Sequence, residues 1–313
     1  MNFKVKDLIF VSRMLNVVGV TIVVFAIVDL FFYEQFRSII GSISRVDIRY
    51  GIVSVQSLFV HPGTYGWFLM FLFLKNILEY KQSQNKKNLV LTIMFLLFSL
   101  LSLRFKVILS IIPIIIYALL KSKKSFVTTS LVVLSSLFLF SGLFIDLVSL
   151  TIDRYIDIDF NKSARKALYL FSFVIAIDYF PLGVGIGNYG SLYSKLDYSE
   201  VYYKYGLNNV WGLTPDNPMW VTDTFWPAIL GETGALGLLI YLLIFIKIFF
   251  ILIKNYKQES DSTIKKTFAL MAIFVFIQAF IESAGEQIYL NSPQYLVLFG
   301  FIGMVISSRN SKH

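Results

Sequence analysis

The segment that decides the fold opens with PLGVGIGNYG at residues 181–190 and closes with VTDTFWPAILGETGALG at residues 221–237. Between these two pieces lies a polar stretch rich in Tyr and Trp, and after them the apolar run LLIYLLIFIKIFFILI occupies residues 238–253. Glycines permit tight turns and a close approach of the backbone. A polar segment with several glycines that leads directly into an apolar run is typical of a loop at one face of a membrane. We expect the functional residues of the chain in this loop.

The composition indicates an integral membrane protein. Of the 313 residues, 57% are hydrophobic and only 15% are charged, against about 25% charged residues in soluble domains. The absence of cysteine excludes disulfides and thiolate metal sites, and two histidines argue against a His-based metal centre. Because Lys and Arg gather on the cytoplasmic side of membrane proteins, we attribute the net charge of +9 to topology and expect no nucleic-acid partner. We also expect no cofactor.

The apolar runs predict about eight transmembrane helices, because a span needs about 20 apolar residues to cross a hydrocarbon core of roughly 30 Å. The candidate spans are 8–32, 57–79, 89–103, 107–120, 126–149, 225–253, 268–285 and 289–307. A shorter apolar stretch at 167–180 predicts a half-buried or interfacial helix. We therefore expect an all-α polytopic membrane protein with a single domain over residues 1–313, in which residues 150–224 form one large extracytoplasmic loop.

The lysine-rich connectors assign the two sides of the membrane. If eight spans alternate, five basic segments fall on one side, which the positive-inside bias makes the cytoplasm, together with both termini. These segments contain Lys4 and Lys6; Lys81, Lys86 and Lys87; Lys121, Lys123 and Lys124; Lys254, Lys257, Lys265 and Lys266; and Arg309 with Lys312. A single helix over 89–120 would be about 48 Å long, so two short helices with a tip at 103–106 on the outer face are favoured, with Pro113 as a tolerated kink.

Three arginines lie close to apolar helices on the outer side, namely Arg49, Arg104 and Arg165. Ionisable groups at such positions usually face a cavity and mark a substrate path. A guanidinium stays charged and forms bidentate hydrogen bonds to phosphate. The three arginines therefore predict a site for a lipid-linked phosphate or diphosphate; the alternative is that each side chain snorkels to the lipid headgroups.

The polar segment TPDNPMWVTDTFW at residues 214–226 carries two acids, Asp216 and Asp223. Burial beside the start of an apolar helix raises the pKa of a carboxyl group, which would suit a general base. The alternative for Asp223 is an N-cap of the following helix. Glu232 lies within that span, so we expect it to be paired, with one of the arginines as a candidate. Three glycines predict close helix packing: Gly231, Gly234 and Gly237.

Aromatic residues and one histidine complete the candidate site. Trp220 and the tyrosines of the loop are either interfacial anchors or platforms that stack on sugar rings. His61, at the outer end of the second predicted span, is either a hydrogen-bonded structural residue or a catalytic one. The G-x-G-x-G pattern at 183–187 does not predict a dinucleotide site, because no βαβ unit surrounds it.

Four segments together resemble the O-antigen ligase and polysaccharide polymerase superfamily (the Wzy and WaaL type). The segments are IRYGIVSVQSLFVHPGTYGWFL (48–69), LRFKVILSIIPIII (103–116), ARKALYLFSFVIAIDYFPLGVGIGNYG (164–190) and VTDTFWPAILGETGALGLLIYL (221–242). The resemblance implies a GT-C-like fold and a metal-independent glycosyltransferase, whose donor is a glycan on polyprenyl diphosphate, at the outer face of the bacterial cytoplasmic membrane. It places the diphosphate on Arg104 and Arg165, with Arg49 as a third candidate.

Departures from the family pattern refine this expectation. Family members carry more spans before the Arg-containing region, so the resemblance implies a shortened member. Leu103 stands where the family has Ser before its Arg. Ligases usually carry a His motif in the main loop, where this chain has Asp216 and Asp223, and this difference favours a polymerase over a ligase.

The expected function is therefore polymerisation of a surface polysaccharide such as O-antigen, capsule or exopolysaccharide. A ligase that transfers the glycan to a lipid or protein acceptor, a flippase or transporter of lipid-linked sugars, and a non-catalytic remnant are the alternatives. The expected partners are a polyprenyl-diphosphate-linked oligosaccharide, the lipid bilayer and other polysaccharide-export proteins. The catalytic candidates are Asp223, Arg165 and Arg104, and the substrate-binding candidates are Arg49, His61, Asp216, Trp220 and Glu232.

Overall fold

A computed structural model describes residues 3–41, 46–49, 51–104, 107, 163–259, 263–290 and 293–309. In these ranges the chain is mostly helical. Apart from Val107, the predicted spans at 107–120 and 126–149 lie outside the described residues, as do residues 105 and 106 of the predicted outer tip.

The other predicted spans and the short stretch at 167–180 all fold as helices. The helices are α1 (Val5–Phe31), α2 (Tyr33–Ile39), α3 (Pro62–Ser83), α4 (Lys86–Leu100), α5 (Ala164–Asp178), α6 (Leu192–Leu196), α7 (Glu200–Lys204), α8 (Phe225–Gln258), α9 (Thr263–Glu282) and α10 (Gln294–Arg309), with a 3-10 turn at Leu207–Asn209. An antiparallel hairpin of two short strands, β1 (Ile48–Arg49) and β2 (Ile52–Val53), was not predicted.

Among the residues that the structure describes, three helices are long and apolar enough to cross a membrane: α1, α8 and the part of α9 from Ile264 to Glu282. Helix α8 has the highest mean hydropathy of the three, 2.9 over its most apolar window, and only 11% of that window is buried. A helix that is apolar all round and open to its surroundings fits lipid as the solvent. By their length and composition these helices are candidate spans and indicate a membrane protein, whereas the eight-span topology stays a prediction.

The chain divides into two compact units, and the first comprises residues 1–148, 252–278 and 296–313. Its centre is α3, which is buried without interruption from Pro62 to Leu78. Helix α4 returns beside α3 after Gln84, whose φ of 53° reverses the chain, and the Asn85 side chain caps α4 by accepting from the Lys87 amide. Phe71 of α3 packs edge-on against Phe301 of α10 at 5.3 Å between ring centroids.

Polar groups join α1 to α3 inside this unit. The ammonium of Lys75, which is fully buried, donates to Asn16 Oδ1 at 3.0 Å and to Glu79 Oε2 at 3.1 Å. Ser12 Oγ donates to the other oxygen of Glu79 at 2.6 Å, and Asn76 Nδ2 donates to Asn16 Oδ1 at 2.9 Å. A buried charge is tolerated when it is paired and hydrogen-bonded, and this cluster satisfies that condition within two apolar helices.

A second buried ion pair fixes the end of α1. Asp29 accepts from Arg37 Nε at 2.7 Å and from the backbone amides of Gln56 and Ser57 at 2.8 and 3.0 Å. Both charged side chains are almost completely buried, at 0% and 1% exposed. Because a charge-assisted network of this kind holds α1, α2 and the segment before α3 together, Arg37 has a structural role here.

The second unit comprises residues 149–251 and 279–295, and its core lies in the predicted extracytoplasmic loop. The tyrosine side chains of this loop provide much of that core: Tyr189 and Tyr202 are fully buried and stack at 5.9 Å between centroids. Tyr189 Oη donates to the Leu168 carbonyl at 2.7 Å, and the Tyr202 hydroxyl accepts from the Gly190 amide at 2.8 Å. These two tyrosines are core residues, neither membrane anchors nor sugar platforms.

The glycine-rich turn after α5 is fastened to a break in α8. Gly234 interrupts α8 with φ 64° and ψ −165°, and Gly183 of the turn has φ 71°. Backbone hydrogen bonds join the two segments, from Val184 N to the Gly231 carbonyl at 3.0 Å and from Leu236 N to the Pro181 carbonyl at 3.2 Å. The prediction that these glycines serve helix packing is therefore wrong for Gly231 and Gly234, since both face the turn, where a Cβ would overlap Tyr189 and Pro181.

The half-buried character predicted for residues 167–180 is confirmed for α5. This helix has 15 residues, so at about 1.5 Å per residue it is too short to span a bilayer. Ala167, Leu168 and Ile175 are buried on one face, whereas Phe173 and Ile177 are exposed on the other. The buried face places the first turn of α5, with Arg165, against the rest of the loop.

Candidate functional site

Two of the three predicted catalytic residues form an ion pair. Arg165 Nη2 lies 2.7 Å from Asp223 Oδ2, although the two residues are 58 positions apart in the chain. The side chains are partly exposed, at 30% for Arg165 and 23% for Asp223. A guanidinium and a carboxylate that meet at a surface accessible to solvent can both reach an external ligand.

The starts of two helices position this pair. Arg165 is the second residue of α5, and Asp223 lies two residues before Phe225, the first residue of α8. Thr224 therefore occupies the N-cap position of α8, and the Asp223 carboxylate accepts from Arg165. Helix N-termini favour negative charge through their exposed N–H groups and the helix dipole, so an anion at this place gains from both helices.

The segment after α9 fixes the surroundings of the pair and was missed by sequence reasoning. Gln287 Nε2 donates to the carbonyls of Gly190 and Thr224 at 2.6 and 3.3 Å. Trp226 Nε1 donates to Ser283 Oγ at 2.8 Å, and Tyr169 Oη donates to the Ala284 carbonyl at 2.8 Å. The polar run ESAGEQ at residues 282–287 interrupts two apolar stretches, and this contrast was the available signal.

Glu232 has a different partner from the one predicted. Its Oε1 accepts from the backbone amides of Gly187 and Tyr189, at 2.9 and 3.2 Å, and the residue is 9% exposed. The expectation that an arginine pairs with Glu232 is wrong, because the glycine-rich turn presents its own N–H groups to the carboxylate. Glu232 thereby holds the turn in place; a contact of Glu232 with substrate stays a prediction.

Arg104 and Arg49, which belong to the first unit, share one carboxylate. Arg104 Nη2 lies 2.5 Å from Asp47 Oδ2, and Arg49 Nε lies 3.2 Å from the same oxygen. Arg49 Nη1 also donates to the carbonyl of Leu103 at 3.1 Å. All three charged side chains are partly exposed, at 17% for Arg104, 19% for Arg49 and 31% for Asp47. Two guanidinium groups therefore meet at one carboxylate in this part of the first unit.

Asp47 was also missed by sequence reasoning. It precedes β1 by one residue and lies 57 positions from Arg104. The strand pair β1–β2 orients this segment, with Arg49 opposite Ile52 in the antiparallel register. The local pattern Asp-x-Arg at 47–49 was the only sign of the pairing, and it does not extend to Arg104. The meeting of Arg165 with Arg49 and Arg104 at one site stays a prediction.

His61 has a structural contact of the kind that the sequence favoured. Its Nδ1 accepts from the Gly63 amide at 3.0 Å, which makes His61 the N-cap of α3. Because a cap satisfies an amide that has no partner within the helix, this contact alone explains a polar residue here. A role of His61 in substrate binding stays a prediction.

The last two candidates lie in the segment that leads to Asp223. Trp220 packs on Gly212, where φ is 80° and an added Cβ would overlap the indole, and its ring lies 6.1 Å from that of Trp211. Asp216 is exposed and sits in the turn closed by the bridge between Thr214 and Asn217. Trp211 is 58% exposed, so much of its indole is open to the surroundings.

The side chains of these two centres are of the kinds that bind anions and accept protons. In the part of the chain that the structure describes, no group of three or more His, Asp or Glu side chains is placed to hold a metal ion. Arg165 can bind a phosphate oxygen, Asp223 can accept a proton, and the Arg49–Asp47–Arg104 cluster can bind a second anionic group.

Comparisons with known proteins add no relative. The chain matches no protein-family model, and a search of curated proteins finds no match. The resemblance to polysaccharide polymerases and ligases therefore rests on the four sequence segments and stays a prediction.

Proposed function

We propose that this chain is a polymerase of a surface polysaccharide and acts at the outer face of the bacterial cytoplasmic membrane. The observation that carries the proposal is the ion pair between Arg165 and Asp223, at 2.7 Å. The sequence assigned these residues separately, one to the diphosphate and one to the proton. A glycosyl transfer from a diphosphate needs both groups close to the reacting carbon, and the contact between the two side chains supports the proposal in this respect. An eight-span topology that places residues 150–224 outside belongs to the same proposal.

The proposed reaction joins two lipid-linked repeat units. A hydroxyl oxygen of one unit attacks the anomeric carbon of the other and forms the new glycosidic bond. The bond between that carbon and the diphosphate oxygen breaks, and the polyprenyl diphosphate leaves with the bonding electrons. Asp223 accepts the proton of the attacking hydroxyl. Arg165 stabilises the negative charge that grows on the diphosphate, because a preorganised donor is most valuable where charge develops in the transition state.

The ion pair also suggests how substrate binding prepares the base. Before the donor binds, Arg165 holds the Asp223 carboxylate. A diphosphate carries more charge than one carboxylate and accepts bidentate hydrogen bonds from a guanidinium, so it competes with Asp223 for Arg165. The released carboxylate then turns to the acceptor hydroxyl. In this scheme the donor must bind before the acceptor is activated.

The cluster of Arg49, Asp47 and Arg104 has a supporting place in the proposal. Asp47 contacts both guanidinium groups, and a diphosphate can replace this carboxylate as the acceptor of their hydrogen bonds. Both side chains sit near the surface and not in the core, which suits a ligand that arrives from outside. We assign Arg104, as the resemblance implies, to the charge that grows on the diphosphate, and Arg49 to substrate binding.

The test is a gel profile of surface and lipid-linked polysaccharide from the native bacterium with this gene deleted. Single unpolymerised repeat units on their carrier are expected. Full-length polymer that stays on the lipid carrier would instead identify a ligase, and lipid-linked units confined to the cytoplasmic face would identify a flippase. An unchanged profile would contradict all three functions.

A reconstitution separates catalysis from indirect effects of the deletion. The purified chain in lipid vesicles is given polyprenyl-diphosphate-linked repeat units, and the chain length of the product is measured with and without EDTA. Polymer of equal length in both samples is expected for a metal-independent polymerase. Absence of polymer from a correctly folded sample would contradict the proposal.

A further inference from the structure

Exposed apolar side chains cluster where α5 passes into the glycine-rich turn. Ile177 is 75% exposed, Phe180 73%, Leu182 63% and Ile186 84%; we call these four residues the apolar turn. Backbone hydrogen bonds from Leu182 and Gly183 to the Tyr179 carbonyl, at 3.1 and 3.0 Å, keep the segment compact. Single exposed apolar residues are ordinary, but a contiguous apolar patch marks a binding surface.

The apolar turn lies beside an exposed apolar face of α8. It is joined to α8 on both sides of the break at Gly234, through the Val184–Gly231 and Leu236–Pro181 hydrogen bonds. Directly after the break, α8 exposes an apolar face that includes Leu236, Leu239 and Ile240, at 45%, 53% and 49%. This part of α8 belongs to a helix long and apolar enough to cross a membrane. The two exposed surfaces therefore meet at the break.

The length of α8 places the break near a membrane boundary. The helix continues from Ala235 to Gln258 after Gly234, which is about 36 Å at 1.5 Å per residue. The hydrocarbon core is about 30 Å thick. A helix that crosses the core over this length brings the break, and the turn that is fastened to it, to the edge of the hydrocarbon.

Amphipathic side chains lie next to the apolar turn. Lys204 Nζ donates to the Tyr179 hydroxyl at 2.8 Å and lies over the Tyr179 ring at 4.5 Å from its centroid. Tyr205 donates to Asp178 Oδ2 at 2.6 Å. Tyrosine rings and lysine stems favour the headgroup level, where one end is apolar and the other is wet. Tyr179, Lys204 and Tyr205 thus lie beside the apolar turn as the polar headgroups of a lipid leaflet lie beside its acyl chains.

We propose that the apolar turn is inserted among the lipid acyl chains of the leaflet next to the break in α8, with Tyr179, Lys204 and Tyr205 at the level of the headgroups. The occupant of this surface is lipid, because the surface is continuous with the lipid-facing side of α8. The inference goes beyond the proposed function, since it holds for a polymerase, a ligase or a transporter alike. The apolar turn would thus anchor the second unit to the membrane in addition to the membrane-spanning helices.

The chain has no cysteine, so single-cysteine variants need no background substitutions. Ile186→Cys and Leu182→Cys are labelled with an environment-sensitive fluorophore and reconstituted as the full chain in vesicles of phosphatidylcholine and phosphatidylglycerol. The control is Asp216→Cys, at an exposed position in the Thr214–Asn217 turn. Gel filtration before reconstitution shows that each variant is folded.

Blue-shifted emission at positions 186 and 182 is expected, with strong quenching by lipids that carry a doxyl group on the acyl chain and little quenching by aqueous iodide. The label at position 216 should show the reverse. Quenching by iodide at 186 and 182, as in the control, would overturn the proposal. Emission shielded from both quenchers would also overturn it, because a second copy or another protein would then cover the surface.

Discussion

At the scale of single residues, Arg165 is the sharpest test of the proposed chemistry. Arg165→Ala should reduce polymer formation by about 100-fold or more, which is the effect of removing a donor that stabilises transition-state charge. Arg165→Lys keeps the charge but loses the bidentate geometry, so its activity should lie between that of Arg165→Ala and the wild type. The measurement is the rate of polymer formation by the reconstituted chain.

The matched control is Lys166→Ala, because Lys166 is the neighbouring cation on the same helix and its loss should leave the rate within a few-fold of wild type. Stability should not confuse the result, since an ion pair that is 23–30% exposed contributes about 1 kcal/mol or less. Near-normal polymer from Arg165→Ala would remove Arg165 from the mechanism.

Asp223→Asn should lower the rate of polymer formation by about 100-fold, because the general base is lost.

Tyr202 gives a prediction about pH. Burial raises the pKa of Tyr202 from its ordinary 10.0 to about 12, although its hydrogen bonds with the Ser194 hydroxyl and the Gly190 amide oppose the change. The neutral phenol is therefore favoured in the folded state. Its contribution to stability is complete below pH 10, the unfolded value, and is lost as the pH rises through about 12. Thermal unfolding in detergent should show a constant midpoint up to pH 10 and a fall above it.

Tyr202→Phe supplies the control for that experiment. The variant leaves the Gly190 amide without the hydroxyl that accepts from it at 2.8 Å, which should cost about 1–3 kcal/mol at neutral pH. It should also make the fall above pH 10 less steep. An identical slope in the variant and the wild type would assign the alkaline transition to other groups.

Individual charged residues could be picked out from the sequence more easily than the partners that they contact. Arg49, Arg104 and Arg165 could be chosen as candidates because a charge beside an apolar helix is visible in the sequence. Asp47 was not recognised, because only folding brings it to within 2.5 Å of Arg104. Glu232 was recognised as a costly buried acid, but its partners are backbone amides, which no residue pattern identifies.

At the scale of elements, the contact between the glycine-rich turn and α8 can be tested through its glycines. A Cβ on Gly183 would lie 2.4 Å from the Gly231 carbonyl oxygen, so the backbone would have to move. Gly183→Ala should destabilise the chain by about 1–2 kcal/mol for the left-handed backbone and by about 1–3 kcal/mol more for the overlap. The measurement is the unfolding midpoint in detergent or urea.

Gly206→Ala separates the two costs. Gly206 has φ 69°, close to the 71° of Gly183, but nothing lies within 4 Å of its added Cβ. This variant should therefore show the backbone cost alone. Equal destabilisation by the two substitutions would mean that the turn and α8 are not in close contact.

The helices could be predicted where the length of an apolar run alone specifies them. The break in α8 could not be predicted, because a contact with a distant segment of the chain specifies it. The long runs in α1 and α8 exceed the thickness of a bilayer, and this alone specifies a helix, since unpaired backbone groups are too costly in lipid. The break at Gly234 depends on hydrogen bonds with residues about 50 positions earlier in the chain, from Pro181 to Gly185. The sequence shows the glycines there but not what they face.

At the scale of the whole molecule, the remaining prediction is which parts of the chain face the cytoplasm. The lysine-rich connectors place the segment between α3 and α4 inside, and the polar loop before α8 outside. Single cysteines can again be introduced without background changes, at Gln84 in the connector and at Asp216 in the loop, both of which are exposed. Labelling intact cells with a membrane-impermeant maleimide should modify Asp216→Cys and spare Gln84→Cys until the cells are opened. Labelling of Gln84→Cys alone in intact cells would reverse the orientation and place Arg165 and Asp223 on the cytoplasmic side, where nucleotide-activated sugars are present and a polyprenyl-diphosphate donor would no longer be required. Labelling of both positions in intact cells would place both on the outer side, so the chain would cross the membrane an even number of times between residues 84 and 216. The predicted spans in this region, including the hairpin at 89–120, would then be wrong.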